Sequence, residues 1–296
     1  MIRILLAALL ALPVIALAKA PQVNPALWKV SSKSATVYLF GSIHALPKGL
    51  EWRTPALIKA EAEADTLVLE VGSLDDKAAL AKTFQSLALS PNLPDVLDRV
   101  PPSKRAGLKA LLDKSGLPLT ALKPLETWAI TLSLTPFILK QLEIDPASGV
   151  EPNLTADFKA AHKPVEGLET AAYQFGVFDH LSEAAQRRML VSSVDDMKTA
   201  KQDFGAMLRA WKAGDPAAIA KNFDKDLNTE PELRRALLHN RNANWAGWIV
   251  ARLKGKGTTL IAVGAGHLAG NDSVIAMLRR QGLSVQRVGC HKSSCQ

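Results

Sequence analysis

The sequence predicts an α/β fold: a mixed, largely parallel central sheet formed by the N- and C-terminal parts of the chain, with a helical insertion in the middle. An α+β arrangement is the alternative. Three observations carry this reading. Residues 36–71 run strand, helix, strand, the pattern of a βαβ unit and a parallel pair. Residues 244–288 alternate again between helix and strand. Between them, Ala- and Leu-rich segments from Asp75 to about Leu142 are cut by Pro91, Pro94, Pro101, Pro102, Pro118, Pro124 and Pro136, which predicts short helices joined by tight turns.

Each element has a local reason. Thr36 to Phe40 is an apolar, β-rich run. Thr54-Pro55 combines a helix cap with proline at the first helical position and opens a helix through about Ala64. Thr66 to Val71 is a second strand, halted at Gly72, and Lys163 to Glu169 returns as a short one. Leu190, Val194, Met197, Phe204, Leu208 and Trp211 keep a three-or-four spacing, predicting one long helix stopped by Gly214-Asp215-Pro216. That stripe reads as helix core rather than as a ligand box. Asn244 to Leu253 is a helix, Thr258 to Val263 a strand. Asn271 or Asp272 caps a helix ended by Gly282, and Leu283 to Val288 is the last strand.

The first twenty residues read as a signal peptide: Arg3 is the positive start, Ile4 to Leu17 the apolar stretch, and Ala18-Lys19-Ala20 the cleavage pattern. Pro13 interrupts that stretch, and no later run is apolar for long enough to span a bilayer. A periplasmic or secreted protein without stable membrane insertion is therefore expected, with residues 21–296 as a single domain whose helical insertion covers roughly 75–160 and 180–235. The formal net charge of +8 invites a nucleic-acid reading. The basic residues, however, are scattered or paired, as in Arg187-Arg188 and Arg279-Arg280, and no aromatic-basic stripe accompanies them. Solvated helix faces explain them better, and no nucleic-acid partner is expected. Cys290 and Cys295 suggest a local disulfide in an oxidising compartment, with a metal role beside His291 as the lesser reading.

Chemistry concentrates in two tetrads, Gly41-Ser42-Ile43-His44 and Gly264-Ala265-Gly266-His267, each closing a strand-like run. Glycine at a strand exit allows a sharp turn, and the carboxyl ends of strands are where α/β sheets form their ligand crevices. His44, His267 and Glu70 all stand at such ends. Two imidazoles and a carboxylate can bind zinc with an open position, and equally suit iron or manganese. Without a metal, Glu70 could act as general base, or a histidine could deprotonate water. His162, His180, His239 and His291 lack the strand-end setting and read as structural or surface residues. Gly264, Gly266 and Ala269 also match a dinucleotide fingerprint, but the acid due about twenty residues later is replaced by Gln286 and Arg287.

Taken in order, Leu39-Phe40-Gly41-Ser42-Ile43-His44, Leu67-Val68-Leu69-Glu70, Lys163 through Thr170, Arg241-Asn242 with Trp245, and Val263 through Gly270 resemble the TraB/GumN family over most of the chain. Relatives in that family include PrgY and the Tiki proteases, with a more distant likeness to erythromycin esterases. The resemblance implies a metal-dependent hydrolase, with Tiki-type members cleaving peptides. It implies His44 and His267 as metal ligands or catalytic base, and Glu70 as ligand or general base. Arg241 would stabilise an oxyanion or hold an acidic group, Asn242 would position water or substrate, and Glu169 would orient a histidine. The cofactor expected is a divalent ion, zinc, manganese, cobalt or iron. The substrate expected is a peptide or another small amide or ester. A peptide-sequestering module without turnover and a metal-independent esterase-like enzyme are the alternatives.

Overall fold

The computed structural model describes residues 23–72, 76–227 and 230–289. The expected signal peptide, Cys290, His291 and Cys295 lie outside the described residues. One mixed sheet organises the chain. Its strands are β1 (Leu27–Ser31), β2 (Ala35–Ser42), β3 (Thr66–Val71), β4 (Val165–Glu169), β5 (Gly257–Gly264) and β6 (Gln286–Val288), in the order β4-β3-β5-β2-β1-β6. The pairs β2/β5, β3/β5 and β3/β4 are parallel, and only β1 runs against its neighbours. The α/β class read from the sequence is the one observed.

The expected βαβ unit needs one correction. β2 and β3 are parallel, but β5 lies between them, so they are not a pair. Burial explains the order. Leu260 to Val263 of β5 is buried throughout, which demands a central position with both faces covered. β4 exposes Glu166 and Gly167 and takes the edge. β1, which the sequence reading passed over, closes onto β2 through a tight turn and receives β6 on its other side.

Strand alternation divides the core in two. Val37, Leu39, Val68, Ile261 and Val263 pack on one face with Trp245, Ile249 and Leu278. Tyr38, Phe40, Leu67, Leu69 and Ala262 pack on the other with Leu57, Leu154 and Trp211. The proline-punctuated middle builds a core of its own around Leu108, Leu112, Ile130 and Leu190.

The predicted long helix is in fact two, Glu183–Asp195 and Ala200–Ala213, separated by a 3-10 turn at Asp196–Lys198. The periodic stripe serves two masters. Leu190, Val194 and Met197 belong to the helical core, whereas Leu208 and Trp211 belong to the sheet core. A straight helix could not present one stripe to both. Ser273, not Asn271 or Asp272, caps the helix Val274–Arg280, accepting from the Ala276 N–H at 3.1 Å. The helix predicted from Asn244 begins earlier, at Asn240, directly after a wide π turn at Arg235–His239.

Candidate functional site

The strand order brings the two tetrads together. Ser42 stands beside Gly264 in the β2/β5 ladder, and Leu69 of β3 stands beside Ala262 on the other flank of β5. His44 follows β2, Glu70 is the penultimate residue of β3, Glu169 closes β4, and His267 sits in the 3-10 turn Ala265–Leu268 after β5. All four therefore meet at the carboxyl end of the parallel strands. Helix Asn240–Arg252 adds Arg241, Asn242 and Trp245, and helix Val150–Ala160 adds Glu151.

Glu70 is the hub. Its Oε1 accepts from the Gly264 N–H at 2.8 Å, and its Oε2 accepts from Arg241 Nη2 at 2.6 Å and from Gln174 Nε2 at 3.1 Å. The same Oε1 lies 4.0 Å from His44 Nε2 and 3.8 Å from His267 Nε2. Gly264 leaves the space between them open. A Cβ there would stand 3.2 Å from Glu70 Oε1, 3.5 Å from His44 Nε2 and 3.6 Å from His267 Cδ2.

Both rings are held from behind. His44 Nδ1 donates to Glu151 Oε1 at 2.6 Å, and Ser42 Oγ donates to the same oxygen. Asn242 Nδ2 donates to the Asp272 carbonyl at 2.7 Å, which turns Oδ1 toward His267 to accept from Nδ1 at 2.7 Å. His267 Nε2 is then an acceptor, and Arg241 Nη1 donates to it at 3.2 Å. Trp245 lies against the His267 ring at 4.5 Å between centroids and donates to Glu169 Oε1 at 3.0 Å. Glu169, expected to orient a histidine, instead grips Arg241 with both oxygens, at 2.9 Å and 3.1 Å from Nε. The histidine-holding roles fall to Glu151 and Asn242.

These contacts set the charge states. Desolvation pulls the His44 pKa down, but its ion pair and hydrogen bond with Glu151, with Glu70 beyond, outweigh that and raise it to about 9. Burial disfavours the Glu70 carboxylate, yet His267, His44, Arg241 and the Gly264 N–H hold it at about 2. Burial is the largest influence on His267 and lowers it to about 4, so that ring is neutral at pH 7. Glu70, Glu151, Arg241, Asn242 and His267 are all buried, whereas the His44 side chain is 67% exposed. It opens into a cavity of about 670 Å³ lined also by Glu70, Glu151, Gln174 and Lys77, with Pro146, Pro152 and Ala156 among its apolar walls.

Glu151 has no signal in the sequence reading. It stands in the first turn of a helix, far from either tetrad, with nothing around it but a preceding glycine at position 149. That glycine is the one available clue: a Cβ on it would lie 2.0 Å from the His44 carbonyl oxygen, so the helix start and the His44 loop are in backbone contact. Among the described residues, His162, His180 and His239 lie away from the carboxyl ends of the strands. His162 is exposed just past the end of helix Val150–Ala160, and His239 faces Asp272 at 3.5 Å.

The donor set suits a divalent ion in type and orientation. Each imidazole gives its Nδ1 to a protein acceptor and turns Nε2 toward Glu70, the arrangement of metal-binding histidines. The spacing is more open than in a closed centre: among the described residues, no three His, Cys, Asp or Glu side chains stand at coordinating distances. Binding would displace a proton from His44 Nε2 and the Arg241 contact from His267.

Known proteins resemble this chain over most of its length. YbaP of Escherichia coli (strain K12) is 25% identical over 244 residues, covering 82% of this chain and 87% of the relative. YbaP of Shigella flexneri gives the same figures, 25% over 244 residues. An uncharacterized protein of Treponema pallidum (strain Nichols) is 20% identical over 274 residues, 86% of this chain and 80% of the relative. No solved structure gives a significant match. The family profile described as the TraB/PrgY/gumN family matches residues 26–287, a span that contains every residue of the site, and the chain belongs to that family.

Proposed function

We propose that the protein is an exported, metal-dependent hydrolase acting on a peptide or another amide or ester bond. The observation that carries this is the convergence of His44 Nε2, His267 and Glu70 Oε1 around the open space at Gly264, each from a different strand. His44, His267 and Glu70 would hold the ion, which when bound polarises a carbonyl and lowers the pKa of water. The chain's own residues do the rest. Glu151 and Asn242 fix the two rings, and Arg241 orients Glu70 while its positive charge favours negative charge developing nearby. His44, the exposed member, faces the substrate cavity; with the ion bound its Nε2 is a ligand, and only without the ion is it the group placed to move a proton.

The test is hydrolysis of a peptide library by the purified protein, with and without chelator, alongside His44→Ala and His267→Ala. Activity lost in all but the untreated wild type is the expected result; equal activity in the four conditions rejects the mechanism. Recovery of a bound peptide intact after long incubation would favour sequestration without turnover. Export is tested by N-terminal sequencing of the protein recovered outside the cytoplasm, with Pro21 as the expected first residue.

A metal-independent hydrolase is the second reading, and one observation favours it. Arg241 Nη1 already occupies His267 Nε2, and the raised pKa of His44 makes that ring a cation at pH 7. Elemental analysis of the fresh protein against the double histidine variant separates the two. Stoichiometric metal lost in the variant supports the first reading, and none in either supports the second.

A further inference from the structure

Beside the site cavity lies a second one of about 720 Å³, and Pro146 is a wall of both. Its floor is apolar: Leu132, Leu139 and Ile144 line it. Ile144 is buried and Leu132 packs against the Trp128 cluster, whereas Leu139 is only half-buried, so part of this apolar floor stays open to the cavity. Its rim carries Lys48, Glu143 and Lys140. Lys48 pairs with Asp145 at 3.5 Å and Glu143 with Lys201 at 3.5 Å, while Lys140 makes no ion pair with a described residue.

The wall between the cavities is pinned from both sides. Leu46 and Asp145 exchange backbone hydrogen bonds at 3.3 Å and 3.0 Å, and the Val150 N–H donates to the Ile43 carbonyl at 3.1 Å. On the far side, the Ile144 N–H donates to the Leu139 carbonyl at 3.1 Å. Asp145 caps the short turn Pro146–Ser148 by accepting from the Ala147 N–H at 2.9 Å. The second cavity is thus held in a fixed place relative to His44, which is what a remote binding site needs if it is to position a bond at the first.

We infer that this second cavity is a remote subsite for an extended polypeptide substrate, taking an apolar side chain with a carboxylate beside it. The inference rests on the hydrolase reading for the position of the scissile bond. The substrate crosses Pro146, the wall that the two cavities share, in an extended conformation that advances about 3.3 Å per residue. Leu139 and Ile144 receive the apolar side chain, and Lys140 faces the carboxylate. A dipeptide or a small ester fills only the first cavity and forgoes that remote binding energy.

The experiment uses the purified protein with random octapeptides and random dipeptides, comparing wild type with Leu139→Asp and Lys140→Glu. Cleavage is read as kcat/KM, and retention of octapeptides on immobilised protein is read by mass spectrometry. Wild type is expected to prefer octapeptides by about tenfold or more, with an apolar-acidic pair enriched at one position. Leu139→Asp should abolish the length preference, and Lys140→Glu should remove the acidic enrichment alone. Cleavage independent of length, or enrichment unchanged in both variants, overturns the subsite while leaving a hydrolase. Retention with the same enrichment but no cleavage of any peptide supports the subsite and rejects the hydrolase.

Discussion

At the carboxyl end of the sheet, the side chains of Glu70, Glu169, Arg241 and His267 are buried together, whereas at the amino end Asp65 and Ser34 make their hydrogen bonds at the surface. Asp65 Oδ2 accepts from the Thr258 N–H at 2.7 Å and Ser34 Oγ donates to the Gly255 carbonyl at 2.8 Å, both exposed. The same strands end in both clusters. At the exposed end, polar groups tie loops together at little desolvation cost. At the buried end, charges are taken out of water, and replacing such an ion pair by well-packed apolar residues is often neutral or stabilising. Stability alone gives no reason to assemble Glu70, Glu169 and Arg241 there, and the contrast supports the proposal that the carboxyl end serves chemistry.

The sharpest way to break that contrast is to remove one charge from each end. Arg241→Ala leaves Glu70 and Glu169 buried without their cation and should cost about 3–5 kcal/mol in urea unfolding. Asp65→Ala should cost about 1 kcal/mol, because the Thr258 N–H it frees can turn to water. Equal losses would mean that the two ends are energetically alike and the reading of the carboxyl end is wrong.

A subtler change sharpens the picture at the site. Glu151→Gln keeps the side-chain volume but weakens the hold on His44 Nδ1, and activity should fall by about 10–100-fold with little change in thermal unfolding. A wild-type rate in this variant would remove Glu151 from the machinery. The smallest effect belongs to a polar contact remote from the site. Burial, with Glu63 Oε2 accepting from the Tyr38 hydroxyl at 2.6 Å, pushes the Tyr38 pKa up to about 12. Because the folded value exceeds the unfolded value of about 10, its contribution is complete below pH ~10 and is lost as pH rises toward 12. The urea midpoint should decline across that window in wild type and decline less in Tyr38→Phe.

Legibility followed the range of the interactions. His44, Glu70 and His267 could be named because each closes an apolar run, and strand-end position is a local property of the chain. Arg241 and Asn242 were reached only through the family resemblance, since nothing local distinguishes them from other polar residues near a helix start. Glu151 was missed because its role depends on a contact 107 positions away. Gln174, which reaches Glu70 across 104 positions, was missed for the same reason. The break at Asp196–Lys198 was hidden by a stripe that is continuous in spacing yet divided between two cores.

Apolar periodicity, glycine and proline placement and the two tetrads were sufficient for the class of fold, most of its elements and the three central polar residues. These follow from short-range rules of backbone conformation and burial. Insertion of β5 between β2 and β3 was a tertiary decision, because a strand apolar on both faces must find neighbours on both sides, wherever they lie in the chain. That one choice of neighbours sets His44 and Glu70 on either flank of Gly264, and with it the shifted charge states of His44, Glu70 and His267.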